Sequence, residues 1–167
     1  MFKKICIIGC GLIGSSLARA IKKNNLAEKI VSSNRSDAVN KKVIELKIVD
    51  DSSSDTKKMA DGSDLVVIAT PLSSYEDVIS KIKNSLKNGV ILTDVGSVKE
   101  NVINLIEKNI SESISWIPSH PIAGTEESGP GAGFSELFQN RWCISVSYTH
   151  LRAHETREDL VWRRLLE

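Results

Sequence analysis

Gly9-Cys10-Gly11-Leu12-Ile13-Gly14 constrains this 167-residue chain more than any other stretch, because of what stands on either side of it. Before it runs the apolar segment KKICIIG; after it, LIGSSLARAIKK places Leu12, Ile13, Leu17 and Ile21 at helical spacing. A GxGxxG between a buried strand and an amphipathic helix has a physical use at each glycine. The first permits the tight turn, the second lets backbone approach a phosphate, and the third lets the helix pack on the strand. Phosphates would then meet the positive end of the helix. The same glycines argue against a secretory leader. Lys3 and Lys4 do precede an apolar run, but three glycines interrupt it and no small-residue cleavage site follows. No apolar stretch approaches the roughly 20 residues that a membrane-crossing helix needs.

Strand and helix patterns alternate after this start. KIVSSN, SDLVVIAT, VILTDVG and SISWIPSH read as strands; DAVNKKVIELK, SSYEDVISKIKNSLKNG and SVKENVINLIEKN read as helices, the second of them closing on Gly89. Such alternation predicts an α/β fold of Rossmann type: a doubly wound, mainly parallel sheet with helices on both faces. SELFQN reads as a helical turn and RWCISVS as a last strand. The expected division is a dinucleotide-binding domain over residues 1–146 and an unrelated tail over 147–167. There is no internal repeat.

Charge and cysteine content narrow the partners. With 22 lysines and arginines against 21 acidic residues, the formal charge of +1 points to neither nucleic acid nor an anionic membrane. Cys6, Cys10 and Cys143 show neither zinc-ligand spacing nor a disulfide framework. Reduced thiols in a cytoplasm are the expectation.

In such a fold the ligand crevice lies beyond the carboxyl ends of the strands. The residue about 20 positions after the glycines decides which adenosine ribose is accepted. Here Asn34 stands there, followed by Arg35 and Ser36, with no carboxylate to repel a 2′-phosphate. Arg35 suits a phosphate and Ser36 adds a donor, which favours NADP over NAD. Thr70, Pro71 and Ser73 follow one strand; Asp94, Gly96, Ser97 and Lys99 follow the next, and all are expected to face the cofactor. Ser97 has a second reading, as the N-cap of the following helix. His120 closes a strand, which places it beside the nicotinamide. Histidine suits the removal of a hydroxyl proton as hydride leaves the neighbouring carbon.

Four stretches in this order, GCGLIGSSLARAI, ATPLSSY, TDVGSVK and HPIAGTEESGPGAGFSELFQNRWCI, resemble the nucleotide-binding half of the prephenate/arogenate dehydrogenase family, over roughly residues 4 to 145. HPIAGTEESG is the most specific of them. The resemblance implies an oxidoreductase of tyrosine biosynthesis. It would oxidise the ring alcohol of prephenate or arogenate by hydride transfer to NADP or NAD, with loss of the ring carboxylate as carbon dioxide. It implies His120 and Ser97 as catalytic residues, and Thr125 and Glu126 near substrate and cofactor. It also implies a homodimer formed through a helical domain that supplies cations for the substrate carboxylates.

This chain departs from the family after NRWCI. VSYTHLRAHETREDLVWRRLLE does not align with it and is similar to translated adaptor sequence. The alternative is a short helix with Leu151, Leu160, Val161, Leu165 and Leu166 as its apolar stripe. His150 and His154 have no third ligand and read as solvated, so no metal is expected. Without the helical domain the cations left for substrate are Lys99 and Arg141, then Lys3 or Lys4. The expectation is a fragment that exposes apolar surface, binds cofactor weakly and turns over little. Two other functions fit part of the pattern: a stand-alone NAD(P)-binding module, and another NADP-dependent hydroxyacid or imine reductase.

Overall fold

The computed structural model describes residues 1–145. In chain order the elements are β1 (Phe2–Ile8), α1 (Leu12–Lys23), β2 (Ala27–Ser33), α2 (Asp37–Glu45), β3 (Asp51–Ser53), α3 (Thr56–Ala60), β4 (Leu65–Ile68), α4 (Tyr75–Ile82), β5 (Ile91–Asp94), α5 (Glu100–Asn109), β6 (Ser115–Ile117), β7 (Ser119–Pro121) and β8 (Cys143–Ser145). The first six strands form one parallel sheet in the order β3-β2-β1-β4-β5-β6. That order reverses between β1 and β4, so the crevice of the doubly wound fold opens beside the glycine turn. The α/β expectation holds.

Side-chain alternation along β1 explains the unbroken apolar run. Ile5 and Ile7 join Leu17, Ile21 and Val43 in one core, while Cys6 and Ile8 join Val66, Ile68, Ile79, Ile82 and Leu92 in the other. A strand covered on both faces needs apolar residues at every position, not at alternate ones.

Several boundaries differ from the sequence reading. β3 and α3 were not expected in the polar stretch DSSSDTKKMA. β3 is a short edge strand whose Ser52 hydroxyl lies 2.7 Å from that of Ser32, so it contributes pairing and polar contacts where the pattern shows no apolar run. α4 stops at Ile82, seven residues short of Gly89, and a turn fills the gap. SISWIPSH is two strands: β6 ends the parallel sheet, and β7 pairs antiparallel with β8 in a separate two-stranded sheet. Pro118 stands between them, and a residue without an N–H cannot continue the ladder. His120 therefore lies in the small sheet, opposite Ile144. That sheet and its approach carry exposed Ile122, Trp142 and Ile144. The tail readings, including His150 and His154, lie outside the described residues. Among the described residues no helix is long and apolar enough to cross a membrane.

All three thiols are free. Burial pushes Cys6 up to about 12 and Cys10 up to about 11. A thiol raised on folding stabilises the fold below its unfolded value, and the contribution fades as pH rises toward the folded one. Urea midpoints should accordingly fall between pH 9 and pH 11, and fall less in a Cys6→Ala/Cys10→Ala variant. At pH 8, iodoacetamide should leave both thiols unmodified until urea unfolds the chain; rapid labelling of the folded protein would contradict their burial.

Candidate cofactor and catalytic site

The glycine turn is built by close contacts that leave no room for side chains. Gly9 sits at φ +95°, and a Cβ there would lie 2.8 Å from the Ala69 carbonyl oxygen. A Cβ on Gly14 would overlap the Gly9 carbonyl, so α1 packs directly on the turn. Gly11 differs: it is exposed, and a Cβ there would meet nothing within 4 Å. The first intrahelical bond is Ser15 N–H to Gly11 O at 3.0 Å, so the N–H groups of Leu12, Ile13 and Gly14 have no acceptor within the helix. Open space before three free donors at a helix N-terminus fits a pyrophosphate. The buried Thr70 hydroxyl has no hydrogen-bond partner among the described residues, and its methyl lies against Gly9. It is a further polar group available to a ligand here.

Asn34 takes a different role from the one expected. It is only 7% exposed. Its Oδ1 accepts from Cys10 N–H at 2.6 Å, and its Nδ2 donates to Asn40 Oδ1 at 3.0 Å. The side chain thus braces the glycine turn from inside. Arg35 and Ser36 are exposed just beyond it; Ser36 occupies the N-cap position of α2 but makes no side-chain capping bond. Both remain available to a ligand.

Asp94, expected to face the cofactor, is instead fully buried. Lys99 Nζ donates to both its carboxylate oxygens at 2.6 Å. Oδ2 also accepts from Tyr75 O–H at 3.1 Å and Gly96 N–H at 3.0 Å, and Oδ1 from Ser119 N–H at 3.2 Å. The Ser119 hydroxyl donates to the Asp94 carbonyl at 2.5 Å. One carboxylate therefore ties together the end of β5, the start of α4, the approach to α5 and the start of β7. Burial, then the Asp94 charge, pushes the Tyr75 phenol far up, so it serves as a neutral donor. Burial pulls the Lys99 ammonium below the usual lysine value, and the bond to Asp94 opposes that pull.

Ser97 and His120 are carried on the two segments this carboxylate joins. Ser97 is exposed, and α5 begins at Glu100 with Lys99 in the capping position, so Ser97 is not the helix cap. His120, partly exposed, lines a cavity of about 400 Å³ with Pro121, Ile122, Ala123, Gly124 and Arg141. Thr125 and Glu126 follow on the exposed stretch beyond that cavity, and the Thr125 hydroxyl accepts from Glu127 N–H at 3.3 Å. Pro71 and Ser73 are exposed on the loop after β4.

Gly133 of GPGAGF has a use that the sequence does not announce. A Cβ on Gly133 would lie 2.9 Å from Ser16 N, and Phe134 N–H donates to the Ser16 hydroxyl at 3.1 Å. The segment leaving the His120 cavity is thereby clamped onto the first turns of α1. The buried Ser15 and Ser16 are the only hint of this in the helix, since small polar residues occupy positions where an apolar stripe would put larger ones.

This arrangement matches known proteins in both sequence and shape. The family described as prephenate dehydrogenase, nucleotide-binding domain, matches residues 17–152. The chain belongs to that family. It is 39% identical to the cyclohexadienyl dehydrogenase of Zymomonas mobilis over 153 residues, 92% of this chain and 52% of that protein. With the prephenate dehydrogenase of Lactococcus lactis it shares 35% identity over 144 residues, 85% of this chain and 40% of that protein. The fold superposes with a TM-score of 0.87 on A. aeolicus prephenate dehydrogenase, in complex with hydroxyphenyl propionate and NAD+, at 23% identity over 99% of this chain and 58% of that one. The chain spans about half the length of the curated relatives it matches.

Membership of the prephenate dehydrogenase family sharpens the question of which cations could serve a substrate. Lys99 is held by Asp94. Lys3 and Lys4 lie at the amino end of β1, away from the crevice, and Lys4 Nζ donates to the Asp61 carbonyl at 2.6 Å. Arg141 alone of the four lines the His120 cavity.

Removing one partner of a buried ion pair leaves the other charge unmatched, at a cost of about 3–5 kcal/mol. Asp94→Ala should lose roughly that much in urea unfolding, and adding Lys99→Met should recover part of it. A loss near zero in the single variant would show that the carboxylate does not organise this corner.

Proposed function

We propose that the whole protein to which this sequence belongs is an NAD(P)-dependent dehydrogenase of tyrosine biosynthesis that acts on prephenate, arogenate or both. The observation that carries this reading is a histidine in a cavity at the carboxyl side of the sheet, on a strand tied to the Ser97 loop through Asp94. The glycine turn and the free N–H groups of α1 would hold the pyrophosphate, with Arg35 and Ser36 toward the adenosine ribose. Lacking a carboxylate at that position, the chain is proposed to prefer NADP to NAD. The cofactor would accept the hydride released from the ring carbinol carbon.

His120 is the proposed acceptor of the ring hydroxyl proton, leaving a carbonyl as the hydride departs. The carbon–carboxylate bond then breaks, its electrons aromatise the ring, and carbon dioxide leaves; the phenolic oxygen regains a proton. Ser97 would orient the hydroxyl, and Thr125 and Glu126 would stand near the substrate. The resemblance to the family also supports a homodimer formed through a helical domain, which would cover Trp142 and Ile144. A cytoplasmic site with reduced thiols belongs to the same reading. We propose the dinucleotide-binding domain for residues 1–146; the family match runs on to residue 152, so a tail foreign to the family is proposed only beyond that point.

Fluorescence titration of the 167-residue chain should show NADP+ binding more tightly than NAD+. Arg35→Gln should weaken NADP+ by roughly tenfold, the scale of one charged hydrogen bond, and spare NAD+. Prephenate and arogenate oxidation should be slow, and His120→Asn should lower it by about 10²–10⁴-fold without changing cofactor affinity. Robust turnover by these 167 residues alone would overturn the reading that a helical domain supplies the substrate cations; no cofactor binding would overturn the dehydrogenase reading.

A further inference from the structure

The cavity that contains His120 also contains a cation that no group among the described residues neutralises. Arg141 and His120 are the two ionisable residues among its lining; the rest of the wall is Pro121, Ile122, Ala123 and Gly124. Among the described residues no carboxylate lines it. Arg141 is exposed, and its guanidinium has no hydrogen-bond or ion-pair partner among the described residues. Lys99, on the segment that Asp94 joins to β7, is engaged by Asp94.

The backbone holding Arg141 is well anchored. Asn140 takes a left-handed φ of 55°, and Arg141 N–H donates to the Phe138 carbonyl at 3.2 Å. On the other side, Ile122 N–H donates to the Trp142 carbonyl at 2.7 Å, tying the arginine's segment to the far wall of the cavity. Phe138 is fully buried in the core, so the turn has a rigid base. An arginine whose backbone is anchored in this way at the edge of an apolar concavity can offer its guanidinium to a planar anion, and its fork of donors matches a carboxylate with two bonds.

We propose that Arg141 is a carboxylate-binding residue of the His120 cavity, selecting an acid that has an apolar body and a hydroxyl. The carboxylate lies on Arg141, the body against Pro121, Ile122 and Ala123, and the hydroxyl toward His120. The inference rests on the dehydrogenase reading only in that last placement. It puts one substrate-holding cation within this half of the protein, where the family resemblance implies that such cations come from the helical domain.

The test uses the full 167-residue chain, hydroxyphenyl propionate and the corresponding amide, followed by NMR with and without NAD+. The acid should shift the amides of His120 to Gly124 and of Arg141. Arg141→Gln should weaken it at least tenfold, and Arg141→Lys should restore part of the affinity. The amide should bind wild type and Arg141→Gln alike, NAD+ affinity should not change, and unperturbed core resonances would show that the variant is folded. Equal binding of the acid by wild type and Arg141→Gln would overturn the proposal, and so would no binding by wild type. Binding of the acid that depends on Arg141, with no binding of NAD+, would leave this proposal standing and sink the dehydrogenase reading instead.

Discussion

A carboxylate with no exposed surface has to be answered by donors from within the protein, or its burial would cost more than the fold can supply. Asp94 is answered by an ammonium, a phenol and two backbone N–H groups drawn from separate parts of the chain. Each donor comes from a segment that borders the crevice. The loop after β5 cannot shift without moving the start of β7, nor can α4 tilt without disturbing the same oxygen atoms. Ser97 and His120 take their places from this knot rather than from the sheet alone. His120, on a separate two-stranded sheet, is thereby fixed relative to the end of β5.

A second constraint acts at the opposite side of the crevice. Helix α1 rests on the Gly9 carbonyl, and the Gly133–Phe134 segment rests on α1. The nucleotide turn and the distal end of the His120 segment are therefore both referenced to one helix. Asn34 adds an internal brace by accepting from Cys10 N–H. Gly11, Arg35, Ser97 and Arg141 are exposed on the segments these contacts fix.

How much of this could be read from the chain follows from which forces leave a local trace. The parallel sheet was legible because strands buried on both faces need continuous apolar runs, and β1 and β4 have them. β3 and α3 were not, because an edge strand of three polar residues carries no such signature. The break at Pro118 could have been read from its missing N–H, but the apolar residues around it suggested one strand. Asp94 was rightly placed at a strand end, yet its direction was not legible: only the fold shows Tyr75 and Ser119 converging on it from 19 and 25 residues away. Ser97 went the other way, with its capping role removed once the helix was seen to start at Glu100. Arg141 stood among several candidate cations until the partners of Lys99 and Lys4, and the place of Lys3 in β1, were visible.

The central claim is that one crevice holds the nucleotide turn, Ser97 and His120 in a single working arrangement. A crystal structure of this chain with NADP+ addresses it most directly. Pyrophosphate against Gly11 and the N–H groups of Leu12 and Ile13, with the nicotinamide in contact with both Ser97 and His120, is the expected result. A nicotinamide bound away from His120, or a pyrophosphate that avoids the glycine turn, would contradict it.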